Sequence, residues 1–349
     1  MAARLKRPLT AAAHMLHILE STFPFFALVL CGYAVARCGW LPLDAIPGLN
    51  LFVLYFALPC MLFRFGAATP IARMLDPSIF GTYLLCALVM VGLSVATARR
   101  GAIGWNDASF GALVAAFPNS GFMGVPLLVG LLGQRAAAPA IVALAVDMVI
   151  TSSLCIALSR VGTGTGTGQA QGSGRALLNA LKGMATNPLP WAIGLGGLVS
   201  AYGISVPSVL MRPVAMLADA ASPVALFTLG ALLARSRMRA AAAPSATAPA
   251  SASASADLGR SDVAQIVFYK LIVHPALVLG TGRLAIAAGA PLDGFAATVL
   301  VLVAALPSAS NVPMLAERFG ADAGRIARIV LVSTALAFLS FSAAVALLV

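Results

Sequence analysis

Residues 117–128 read FPNSGFMGVPLL, in the middle of an otherwise apolar segment. Proline has no N–H and its ring clashes with the carbonyl four residues earlier, so a helix entering this stretch must break near Pro118. The asparagine, serine and glycines between Pro118 and Pro126 are too small and polar to restore it. A related stretch, LPSASNVPML, occupies residues 306–315 and predicts a second break near Pro307.

The surroundings of both breaks are apolar. The 349 residues are 60% hydrophobic and 9% charged, with a mean hydropathy of +0.97. Soluble domains carry about 25% charged residues, and apolar runs of about 20 residues recur along the whole chain, each long enough to cross hydrocarbon as a helix. The expectation is an all-α polytopic membrane protein. A β-barrel would alternate apolar and polar residues instead. A net charge of +11 could suggest nucleic acid in a soluble protein. Here the arginines fall in short loops between spans, which points to membrane topology and no nucleic-acid partner.

Breaks in hydropathy predict ten spans, near 17–37, 43–65, 77–98, 108–132, 138–160, 187–203, 209–234, 263–288, 292–317 and 323–348. Residues 1–16 read as an N-terminal extension, with Met15 a second candidate start. Residues 161–186 form a Gly-rich linker between a first five-helix repeat, 17–160, and a second, 187–349. Within the second, 235–262 is a low-complexity loop.

The two halves match. Pro24, Gly32, Val35, Gly39, Pro59, Leu62, Phe63 and Gly66 each meet an identical residue 164 positions later, from Pro188 to Gly230. AAFP (115–118) meets AALP (304–307), 189 apart; Pro126 meets Pro313 and Gly133 meets Gly320, both 187 apart. An odd number of spans per repeat requires that the second be inverted relative to the first, the plan of secondary transporters. The side that holds the 1–2, 3–4, 5–6, 7–8 and 9–10 loops carries 14 of the 22 Lys and Arg and the other side eight. The first side is therefore expected to be cytoplasmic, with both termini periplasmic.

Two broken helices in inverted repeats can cross near mid-membrane. Their unwound backbone must be buried in protein or line a wet cavity, and half-helix N-termini converging there would favour an anion. The alternative is a pair of proline-kinked helices with glycines for close packing. Recurrence of the pattern in both repeats favours a functional break.

At this point PNSGFMGVPLL, with LPSASNVPMLAERFG in the second half, resembles the crossover motifs of the auxin efflux carrier family, which includes plant auxin exporters and bacterial permeases for malonate or malate. YKLIVHP (269–275) is similar to that family's Lys-Leu…Pro stretch, and the short linker is like that of its prokaryotic members. The resemblance implies a fold like that of bile-acid/sodium symporters. Spans 1, 2, 6 and 7 would be a scaffold, and spans 3, 4, 5, 8, 9 and 10 a transport domain moving as an elevator. It implies that Pro118, Asn119, Ser120 and Gly121, with Pro307, Ser308, Ser310 and Asn311, form the substrate site, with Asn119 on the carboxylate. Asn311 lies four residues past Pro307 rather than beside it, so Ser308 and Ser310 remain alternatives. The expectation is a permease for a small organic anion in the bacterial inner membrane, with proton coupling and a homodimer through the scaffold as candidates.

Ionisable residues inside spans are functional candidates by default. Lys270 and His274 share a helix face one turn apart. Lys270 could balance a carboxylate or pair with an acid, or its head could snorkel to the cytoplasmic surface; His274 could equally be a core histidine. Asp147, followed by Thr151, Ser152 and Ser153, is a candidate proton-carrying or cation-pairing carboxylate. Asp76, at the entry to span 3, resembles an acid near a support site in plant carriers, or is simply a loop charge. Asp219 reads as structural, and Glu20 and Arg64 as interfacial. The five cysteines lack metal spacing, no Gly-Lys-Ser/Thr follows GTGTGTG (162–168), and no nucleophile–base pair or cofactor motif is evident. No metal, no cofactor and no enzyme activity are expected. An anion channel and an exporter of auxin-like aromatic acids are the competing readings.

Overall fold

The structure, a computed structural model, describes residues 11–69, 76–101, 103–161, 188–242 and 261–349. Much of the N-terminal extension, the Gly-rich linker and the low-complexity loop lie outside these residues. The described chain is helical, and helix falls within each of the ten apolar runs, though α-helical limits differ by up to eight residues from those expected. Two of them are split in the middle.

Twelve helical segments follow in order: α1 (Ala11–Arg37), α2 (Ala45–Ala68), α3 (Pro77–Arg100), α4 (Trp105–Ala116), α5 (Ser120–Leu132), α6 (Gln134–Ser159), α7 (Pro188–Ala201), α8 (Ser208–Ala242), α9 (Ser261–Ala287), α10 (Gly294–Ala304), α11 (Val312–Arg318) and α12 (Ala323–Leu348). Among the described residues six helices are long and apolar enough to cross a membrane: α2, α3, α6, α9, α12 and the Ser208–Arg235 part of α8. The protein is therefore a multi-pass α-helical membrane protein.

Local chemistry sets the helix ends. Asp76 accepts hydrogen bonds from the Ser78 and Ile79 amides at 2.8 and 3.3 Å, with Pro77 as the first helical residue. This is a standard helix start. Asp322 does the same for α12 through the Arg325 amide at 2.8 Å. Gly39, Gly203, Gly133 and Gly320 all take positive φ at loop turns, between 61° and 82°. That conformation costs any residue with a Cβ.

Packing sorts the helices into two groups. One contains α1, α2, α7 and α8, in which α1 lies along α8 and α2 along α7. These two pairings use the same device. A Cβ at Gly32 would collide with the Phe227 carbonyl, and one at Gly196 with the Phe63 carbonyl. Likewise, a Cβ at Gly230 would collide with the Val29 carbonyl, while one at Gly66 would press on the Ile193 carbonyl at 3.2 Å. In each comparison both residues are related by 164 positions. Without side chains at these points the backbones approach closely, which is how membrane helices associate when water supplies no driving force. Arg64 of α2 forms a 2.6 Å ion pair with Asp219 of α8 within this group.

The second group comprises α3, α4, α6, α9, α10, α11 and α12, with α5 between it and the first. α3 packs on α4, α6 and α9, α9 on α10, and α11 on α12. The interior of this group is the most deeply buried part of the molecule: every residue from Ala108 to Val125 and from Val299 to Ser310 is buried.

Candidate functional site

Both helix breaks occur where Pro118 and Pro307 require them, between α4 and α5 and between α10 and α11. The freed backbones then meet. The Asn119 amide donates to the Pro307 carbonyl at 2.8 Å, and the Ala309 amide donates to the Phe117 carbonyl at 3.0 Å. Pro118 and Ser308 thus pair as an isolated antiparallel bridge, the only such pairing among the described residues. Polar backbone without helical partners is satisfied inside the protein, as a buried break requires.

Each break also leaves an orphan carbonyl at the end of the preceding half-helix. The Val114 carbonyl would meet the amide of residue 118, but proline has none, and the Ser308 hydroxyl donates to it instead at 2.7 Å. The Ala304 carbonyl would meet the Ser308 amide, which is instead directed to the Ser333 hydroxyl at 3.3 Å. The Lys270 ammonium fills that place, donating to Ala304 at 2.9 Å.

Asn119 opens α5 and Asn311 opens α11, so two half-helix N-termini begin at the crossing. Asn119 is 2% exposed, and its side-chain Nδ2 has no hydrogen-bond partner. A buried amide donor left unpaired is costly, so this one is a donor waiting for an acceptor. Ser120 and Ser310 are buried beside it, Ser120 with its hydroxyl 3.4 Å from the Pro118 carbonyl, while Asn311 is half-buried. Gly121 lies between Leu58 and Leu144, where an added Cβ would find ordinary contact at 3.5 Å.

Three further candidates join behind the crossing. Lys270 and His274 are both 0% exposed, and Lys270 Nζ lies 3.1 Å from His274 Nδ1. An ammonium offers only donors, so Nδ1 accepts, while His274 Nε2 has no partner. Lys270 does not snorkel; its head turns into the core toward α10. Asp147, also 0% exposed, accepts from the Tyr83 hydroxyl at 2.8 Å and from Thr151 at 3.1 Å. The Tyr83 ring sits 6.1 Å from the His274 ring. Two buried polar groups, Thr151–Asp147–Tyr83 and His274–Lys270 with the end of α10, thus adjoin where the Tyr83 and His274 rings meet. Asp76 stands apart as the cap of α3.

These side chains share a local backbone cause. Wide π-turns interrupt α2 at Val53–Ala57, α5 at Ser120–Gly124, α6 at Asp147–Thr151 and α9 at Tyr269–Val273. In α2, α5 and α9 a proline follows two residues after the turn: Pro59, Pro126 and Pro275. The wider turn accommodates the missing N–H and the ring. In α6 no proline follows the turn; the Ser152 hydroxyl reaches back to the Asp147 carbonyl at 2.8 Å. Such π-turns recur at functional sites, and three of the four carry candidate residues.

Sequence reasoning missed Tyr83, Thr151 as a ligand of Asp147, and Ser333. It also missed a second cluster. Arg325 binds Asp262 through Nε at 2.6 Å and Nη2 at 3.1 Å, and donates from Nη1 to the Asp107 carbonyl at 2.8 Å. Asp107 Oδ1 in turn accepts from the Asp322 amide at 2.7 Å. This cluster ties together the starts of α4, α9 and α12. The lack of a side chain at Gly111 makes room for it, since a Cβ there would lie 2.8 Å from Arg325 Nη2. Among the described residues no three His, Cys, Asp or Glu side chains converge as metal ligands would.

A family model described as "Membrane transport protein" matches residues 17–345. The chain is 28% identical over 328 residues to a protein of Rhizobium meliloti (strain 1021) named "Putative malonate transporter", covering 92% of this chain and 93% of that one. It is 26% identical over 310 residues to "Uncharacterized transporter YfdV" of Escherichia coli (strain K12), with 85% and 86% coverage. It is also 28% identical over 130 residues to "Auxin efflux carrier component 1" of Arabidopsis thaliana, covering 35% of this chain and 20% of that one.

Proposed function

Since the chain belongs to the membrane transport protein family, that of the auxin efflux carriers, we propose that it is a secondary transporter for a small organic anion, a carboxylate, with the crossing as its binding site. The observation that carries this reading is the buried, unpartnered Asn119 Nδ2 at the start of α5. A carboxylate oxygen would complete its hydrogen bonding and lie at the positive end of a helix. The relative named "Putative malonate transporter" makes malonate the first substrate to test.

In this reading the chain crosses a bacterial inner membrane ten times in two inverted five-helix repeats, with both termini periplasmic. The 164-residue relation among the close glycine contacts, and the matched positive-φ glycines, support the repeat. α1, α2, α7 and α8 form the scaffold, which is also the surface for a homodimer, and the group around α3 to α6 and α9 to α12 is the transport domain that moves as an elevator. Asp147 is the candidate proton carrier.

The test is uptake by purified protein in liposomes, with labelled malonate, malate and indole-3-acetate and with proton and sodium gradients varied separately. Saturable flux that responds to counter-flow is expected, and it separates a carrier from an anion channel. Asn119→Ala removes a hydrogen bond to a charged group, about 1.5–3 kcal/mol, so affinity should fall about 10- to 100-fold. Flux unchanged in this variant would move the site elsewhere.

A further inference from the structure

The two helix breaks are alike in backbone but unlike in charge. At the end of α4 the orphan Val114 carbonyl is met by a neutral hydroxyl, that of Ser308. At the end of α10 the orphan Ala304 carbonyl is met by an ammonium group, that of Lys270. The C-terminal end of a helix carries partial negative charge, and a cation is the complementary occupant. Broken helices in membrane carriers commonly meet that need with a free ion bound to unwound carbonyls and half-helix C-termini. Here the cation is on a side chain.

Its setting is complete. The π-turn at Tyr269–Val273 and the buried stem of Lys270 carry Nζ from α9 to the end of α10. His274 Nδ1 gives it a second acceptor at 3.1 Å. Asp147, held by the Tyr83 and Thr151 hydroxyls, lies in the same buried core. The Ser308 amide, which would have satisfied Ala304 in an unbroken helix, is held away by Ser333 on α12.

We infer that Lys270 is the resident cation of the crossing: its tethered ammonium takes the place of a free sodium ion at the broken end of α10, so folding and transport need no sodium. This rests on the transporter reading for its flux measurement alone; the stability measurement stands without it. Lys270 is a positioning residue, acting through the Ala304 carbonyl on the backbone that holds the substrate site.

The test compares wild type, Lys270→Ala and Lys270→Met, purified as full chains, in sodium, methylammonium and choline chloride at equal ionic strength. Thermal unfolding in detergent and malonate uptake in liposomes are both measured. Wild type should unfold at the same temperature in all three salts and carry malonate equally with or without sodium. Lys270→Ala should unfold several degrees lower in choline and recover most of that loss in methylammonium or sodium, which fit the vacated space. Its flux should fall about tenfold, as for loss of one charge-assisted hydrogen bond, and return with the same ions. Lys270→Met, which fills the space without charge, should be equally impaired and not rescued. The inference is overturned by a wild type stabilised by sodium, by Lys270→Ala with wild-type stability, or by an alanine variant that responds to small cations no better than to choline. If neither variant folds, the sodium response of the wild type alone decides. Expected stability results with no malonate flux in wild type would count against the transporter reading and leave the role of Lys270 in place.

Discussion

Two carbonyls, of Val114 and Ala304, show how much of this site follows from a missing N–H. Ser308 serves one of them and, through its own amide, ties the break to Ser333. Ser308→Ala should therefore cost about 1–3 kcal/mol, as for one unsatisfied buried acceptor, read as a lower unfolding temperature; Ser308→Thr, which keeps the hydroxyl, should recover part of it. At this scale the sequence was legible where a polar or charged residue stood out in an apolar run. Asn119, Asp147, Lys270 and His274 were all visible in this way, and the structure buries all four. Tyr83 and Ser333 were not visible, because a lone tyrosine or serine in a membrane helix is ordinary and its role depends on which helix faces it. Asp262 escaped notice at the edge of a low-complexity loop, and Arg325 was counted only toward topology. Together they form a buried bidentate pair. Removing one partner leaves an uncompensated charge, so Asp262→Ala should destabilise the protein by about 3–5 kcal/mol, measured by thermal unfolding in detergent against Asp262→Asn.

At the scale of the helix, proline was the informative residue. It marked both breaks, and in hindsight it marks three of the four π-turns from two residues downstream. The turn at Asp147 has no proline and no sequence signature beyond the serine and threonine residues after it. Pro275→Ala should let α9 close into regular α-helix, swing Lys270 away from Ala304 and reduce uptake; an unchanged unfolding temperature with lost flux would separate this from simple misfolding. The glycines made a similar contribution. Their 164-residue recurrence was evident, but their purpose emerged only when Gly32 and Gly230 proved to sit against the Phe227 and Val29 carbonyls. Gly230→Ala forces α1 and α8 apart, with an expected cost of about 1–3 kcal/mol as for overpacking, visible in the same unfolding assay. Gly121→Ala, by contrast, meets only ordinary contacts at 3.5 Å and should be tolerated.

For the molecule as a whole, hydropathy placed the helices well but could not say which of them pack together, since lipid-facing and protein-facing apolar residues look alike in sequence. Orientation remains a matter of loop charge, and it is directly testable. If both termini are periplasmic, alkaline phosphatase fused after Val349 should be active in intact cells and a fluorescent protein fused there should be dark; the opposite pattern would invert the assignment. The antiparallel pairing of Phe117–Asn119 with Pro307–Ala309 bears on how any such molecule could move. Its two bonds join main chain to main chain, and they couple the two halves of the sequence at their most irregular points. No exchange of one side chain for another removes an amide hydrogen, short of placing proline there. In the elevator motion proposed above, the two breaks would therefore travel together as one unit. Only an edit to the polymer itself, an ester in place of the amide at both Asn119 and Ala309, would remove the two bonds without disturbing a side chain.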